Sequence, residues 1–165
     1  MSQPTIEELL TKIEERKPRE IVQITAEQLQ GHSTEDFLNQ LARKFDCLLH
    51  GADWRAREQV EARTNYIYAS NLAVTAIMKA LFSETGETRL KYPFFVNNTS
   101  QFKLEIENPS GDTIRERGIV YAVSKRGFKN HPKGGWQFIR KRKTVPYIAA
   151  TEVLKEDFTP FLTNY

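Results

Sequence analysis

Cysteine occurs once in this 165-residue chain, at Cys47, which excludes an intramolecular disulfide. The opening Met1-Ser2-Gln3-Pro4 has neither the basic start nor the apolar run of a secretory signal, so a reducing, cytoplasmic setting is expected. Long apolar runs are missing too. The stretch from Ile119 to Val123 is among the longest, far short of the roughly 20 residues that cross a bilayer as a helix, so no membrane partner is expected.

Catalytic signatures are equally scarce. Neither a phosphate-binding P-loop nor a glycine-rich dinucleotide fingerprint is present, and Gly134-Gly135 is a lone pair in a loop. His32, His50 and His131 are scattered, and no two stand at the i, i+4 spacing of helical metal ligands, so no metal or other cofactor is expected. Glu105, Glu107 and Asp112 lie close together, but strand alternation sends both glutamates to a solvent face. No serine or cysteine nucleophile has a visible base. These absences point away from an enzyme.

What is there reads as one α+β domain over residues 1–165, with 39% hydrophobic and 27% charged residues, an ordinary globular balance. Residues 1–51 form an N-terminal helical segment and residues 52–165 the remainder. Thr5 and Glu8 have capping-box spacing, and Ile6, Leu9, Leu10 and Ile13 share a helical face, which predicts a helix over residues 5–16. A turn or short helix near residues 25–30 ends at Gly31. Ser33 or Thr34 caps a second helix whose apolar stripe is Phe37, Leu38, Leu41, Phe45, Leu48 and Leu49, with Cys47 inside it.

From Trp54 to Phe82 there is neither proline nor glycine, and Val60, Ile67, Val74 and Leu81 recur by sevens. A long helix capped by Asp53 is expected there, its second half in the core. The period then changes to two, and an antiparallel sheet of about three to four strands is expected. Its strands fall at residues 102–106, 113–124 and 136–143, with loops at 108–112 and 125–135. Pro146 opens a closing helix on which Tyr147, Ala150, Leu154 and Phe158 share a face.

Charge is distributed unevenly. The net charge is +3, yet residues 113–143 hold ten Lys and Arg against the single acid Glu116. That segment is therefore +9, leaving −6 on the rest. Crowded like charges repel unless an anionic partner or solvent relieves them. The candidate binding residues are Lys125, Arg126, Lys129, Lys133, Trp136, Arg140, Lys141, Arg142 and Lys143. Such cations neutralise phosphates, and interleaved aromatics stack on unpaired bases. An acidic protein partner would use the same residues.

Several short strings between Tyr66 and Phe158 resemble the neck proteins of long-tailed phages, the head-tail joining or tail-completion group. They are Val120-Tyr121-Ala122 before Gly127-Phe128, His131-Pro132 with Gly134-Gly135, and Val145-Pro146-Tyr147-Ile148-Ala149-Ala150. The resemblance implies a long helix, an antiparallel sheet and a final helix, and a non-enzymatic structural role in a virion assembled in a bacterial cytoplasm. It also implies a ring-forming homo-oligomer that meets other assembly proteins. The alternative is a nucleic-acid-binding regulator or inhibitor of an RNA- or DNA-processing machine, using residues 113–143.

Overall fold

The computed structural model describes residues 2–54, 59–61, 65–82, 89–91, 105–107, 113–132 and 137–162. In chain order the elements are α1 (Ile6–Glu14), β1 (Val22–Ile24), α2 (Thr34–Lys44), β2 (Cys47–Asp53), β3 (Gln59–Glu61), β4 (Ile67–Ser70), α3 (Ala73–Leu81), β5 (Arg89–Lys91), β6 (Glu105–Glu107), β7 (Arg117–Ser124), β8 (Lys129–Asn130), β9 (Gln137–Arg140) and β10 (Thr144–Leu154). Two 3-10 turns, Lys155–Asp157 and Thr159–Phe161, follow.

The first two helices begin where the sequence places them. Thr5 Oγ1 accepts from Glu8 N at 3.1 Å and Glu8 Oε2 accepts from Thr5 N at 2.8 Å, a reciprocal capping box. Ser33 Oγ accepts from Asp36 N at 3.2 Å at the start of α2. That helix stops at Phe45, and Asp46 takes a left-handed φ of +46°, which turns the chain directly into β2.

Four expectations about the fold are overturned. Cys47, Leu48 and Leu49 lie in β2 rather than in α2, with Leu48 and Leu49 buried on opposite faces of the sheet. The predicted long helix over residues 53–82 is instead a set of strands and one nine-residue helix, α3. The predicted closing helix is the eleven-residue strand β10, so neither helix implied by the phage-neck resemblance exists. The sheet is also larger and mixed, not a small antiparallel one. Seven strands run in the order β1-β10-β7-β2-β4-β9-β8, β3 pairs with β10 off that path, and β5 pairs with β6 apart from it. β1 is parallel to β10, and the other pairings are antiparallel. The expected loop over residues 108–112 lies outside the described residues.

Both faces of the sheet are buried along its central strands β10, β7 and β2. On one, α1, α2 and α3 cover Val22, Ile24, Leu49, Val120, Ala122 and Val153. α3 lies on β2 and β7 at two glycines: a Cβ on Gly51 would sit 2.0 Å from Ala76 O, and one on Gly118 would sit 2.5 Å from Ala80 O. The helix start is held from outside, because Asn39 Oδ1 accepts from Ala73 N at 3.1 Å and Ser70 Oγ from Leu72 N at 3.1 Å.

The opposite face is enclosed by the sheet itself. β9 and β10 stand four strand spacings apart, ~19 Å in a flat sheet. Four peptide steps join Arg140 to Thr144 and span at most ~14 Å. The sheet therefore curls, aided by an irregularity in β10 between Tyr147 and Ala149. The curl packs Val60 and Val145 into one cluster with Ile67, Ala69, Tyr121 and Tyr147, and Phe128 and Phe138 lie against it.

Candidate functional site

The same return of the chain builds a basic rim. β7 ends at Ser124, and residues 125–128 form a turn closed by Phe128 N donating to Lys125 O at 3.1 Å. Gly127, third in the turn, has φ +82°, a conformation that type II turns require at this position and that glycine adopts without a steric penalty. The side chain of Arg140, at the end of β9, crosses this turn: Nη1 donates to Arg126 O at 2.9 Å, and a Cβ on Gly127 would lie 2.9 Å from its Nε. Beyond it Arg142 N donates to Arg140 O at 3.0 Å as the chain bends toward β10.

Arg140, Lys141, Arg142 and Lys143 are therefore not the alternating strand residues the sequence predicts. β9 stops at Arg140, and Lys141, Arg142 and Lys143 are all exposed in the bend. Lys125 and Arg126 are exposed in the neighbouring turn, and Lys129 is exposed on β8. Two stretches about fifteen residues apart thus meet, with the Arg140–Arg126 bond as the clasp. Among the described residues, the acid that contacts these cations is Asp46, whose Oδ1 is 3.8 Å from Lys125 Nζ. Both groups are exposed, so the pair neutralises little. Lys133 and Trp136 lie outside the described residues.

Two other cations of the basic segment have structural tasks. Arg115 Nη1 donates to Ala80 O and Phe82 O, each at 3.3 Å, at the C-terminal end of α3, where free carbonyls and the helix dipole favour a cation. The guanidinium of Arg117 stacks 3.7 Å over the Trp54 ring, and its Nη2 lies 3.2 Å from Glu152 Oε1.

Tyr68 is a surface residue that the sequence reading assigns to a helix interior. It stands on β4 with 45% of its surface exposed, between the buried Ile67 and Ala69. Tyr66, Ile67, Tyr68 and Ala69 alternate exposed and buried, but the four residues are apolar throughout, so the signal the sequence did carry was the aromatic and β-branched run Tyr66-Ile67-Tyr68. Cys47 is buried, and burial pushes its thiol up to about 12, which leaves it protonated and unreactive at neutral pH. Among the described residues no three His, Cys, Asp or Glu side chains gather as metal ligands, and no helix is long and apolar enough to cross a membrane. No protein-family model, curated protein or solved structure matches the chain.

Proposed function

We propose that this protein binds nucleic acid without catalysis, holding the phosphate backbone along the rim of Lys125, Arg126, Arg140, Lys141, Arg142 and Lys143. The observation that carries the reading is the clasp between Arg140 Nη1 and Arg126 O, which draws two basic turns into one surface. Six cations held this close repel one another, and a polyanion relieves that repulsion while releasing its own counterions. A face needed only for solubility would not require the two runs to be tied together. Strands and the nine-residue α3 stand where the phage-neck reading expects a long helix, and β10 stands where it expects a closing helix, so that architecture lends the ring reading no support.

Fluorescence anisotropy with labelled oligonucleotides of several sequences tests this reading. The double variant Lys141→Gln/Arg142→Gln should bind every sequence more weakly by a similar factor, because phosphate contacts carry no sequence information. Lys79→Gln, exposed on α3 beside Ala80, which packs on Gly118 at the opposite end of β7 from Lys125, should leave affinity unchanged. If no oligonucleotide binds at low salt and light scattering instead finds a ring that the double variant breaks, the rim serves protein assembly.

A further inference from the structure

Beyond the basic rim, β4, β9 and β8 form one end of the sheet, and one face of this wing gathers rings beside a cation. Residues paired directly across strands share a face. Tyr68 pairs with Ile139 from one side and Lys129 pairs with it from the other, which sets Tyr68 and Lys129 ~10 Å apart on that face. His131 N donates to Gln137 O at 2.9 Å, continuing the β8–β9 ladder, and its ring centroid lies 6.0 Å from that of Tyr68 at a tilt of 41°.

The tyrosine is presented from a rigid base. Its carbonyl oxygen is bonded to His50 Nδ1 at 2.6 Å, and the strand residues on either side of it are buried in the enclosed cluster. α3 packs on β2 and β7 at Gly51 and Gly118, and with 45% of its surface exposed Tyr68 is left uncovered by it. A lone exposed aromatic is ordinary on a protein surface and needs no explanation. Here a second ring and a lysine share the face, and β8 leads from the turn that holds Lys125 and Arg126.

We infer that this face is a stacking platform for unpaired bases, so that the nucleic acid bound is single-stranded. A base lies on the Tyr68 ring beside His131, and Lys129 meets the phosphate that follows. Every base offers a π-face, so the platform tolerates sequence. A duplex keeps its bases stacked internally and would engage the rim alone. The inference rests on the proposed reading of the rim as a phosphate site.

The test measures affinity for a labelled single strand, for the matching duplex and for an abasic strand of the same length. Wild-type protein should prefer the base-bearing single strand to both others. Tyr68→Ala should weaken single-strand binding about 5-fold or more, the loss of one stacked base, and leave duplex and abasic binding unchanged. Tyr68→Phe keeps the ring and should bind as wild type, and an unchanged unfolding midpoint shows that the exposed site tolerates both changes. Equal affinity for all three ligands, or Tyr68→Ala binding like wild type, overturns the platform while leaving the rim reading intact. If none of the three ligands binds, the rim reading fails and the platform with it.

Discussion

Replacing Gly51 with alanine adds one methyl group at the tightest contact between helix and sheet. The new Cβ would lie 2.0 Å from Ala76 O, 2.7 Å from Ala80 N and 3.0 Å from Ala76 C, all backbone atoms of α3. No rotamer can relieve such contacts, so α3 must lift by on the order of 1 Å from β2 and disturb the packing of Ile77 and Ala80, both fully buried. Alanine alone would stabilise by ~0.4–1 kcal/mol through the unfolded chain, whereas overpacking costs ~1–3 kcal/mol and occasionally more. The clash wins. With overpacking at the upper end of that range, because the obstruction is backbone, a net loss of ~2 to 2.6 kcal/mol should appear in urea titration with little change in m, and as a fall of ~4–10 °C in Tm. Ala76→Gly should not rescue the variant, because the obstruction is a carbonyl and not the alanine methyl. A Gly51→Ala protein within ~0.5 kcal/mol of wild type, the usual scatter of surface changes, would refute the placement of α3 on β2.

The buried core and its polar exceptions give further tests. Ile77 is fully buried in α3, so Ile77→Ala should cost about 2–5 kcal/mol in the same titration. Thr151 is fully buried on β10 and its Oγ1 has no hydrogen-bond partner among the described residues, so Thr151→Val should stabilise by roughly 1 kcal/mol or more; a loss of stability would mean that the hydroxyl is paired. For Cys47, with its folded value near 12 against an ordinary 9.0, the unfolded chain releases the thiol proton first as pH rises. Stability should therefore be fully present below pH 9 and fall between about 9 and 12 by up to ~1.4 kcal/mol per pH unit from this group. Cys47→Ala should flatten that alkaline slope, and labelling of the wild-type thiol at pH 8 should proceed no faster than unfolding.

The starts of α1 and α2 were legible in the sequence because their signals are local: Thr5 with Glu8, and Ser33 with Asp36, bond within a single turn, whereas α3 begins after Leu72 with no side-chain cap to mark it. β7 and β9 fall within the strands expected over residues 113–124 and 136–143, whereas β2, β4 and β10 were not legible, because their buried residues lie on both faces and lose the alternation that marks an ordinary strand. The adjacent pair Leu48 and Leu49 reads as part of a helical stripe but divides between two cores. The same holds for the heptad-like series, in which Val60 and Ile67 join the enclosed cluster and Val74 and Leu81 join the helical one. Tyr147, Ala150 and Phe158 fit a helical face by spacing, yet Tyr147 and Ala150 belong to one cluster and Phe158 to the other. The β-branched and aromatic run Val145, Tyr147, Ile148, Thr151 and Val153 was the better guide, and Pro146 is tolerated in an exposed position near the strand start. At the candidate site the four consecutive cations were plain, whereas the clasp from Arg140 to Arg126 follows from the antiparallel β8–β9 register, which sets Lys129 opposite Ile139 and so brings Arg140 beside the preceding turn, a pairing that the two-residue β8 does not announce in the sequence.

The most direct test of the phosphate-binding rim is the salt dependence of affinity for a single-stranded oligonucleotide, measured for wild type and for Lys141→Gln/Arg142→Gln. If about four to seven of the rim cations and Lys129 meet phosphates, log Kobs should fall against log salt with a slope of about −3 to −5. The double variant should lose about 0.7 from that slope for each contact removed, roughly 1.4 in all. A slope near zero, or an identical slope in the two proteins, would contradict the account.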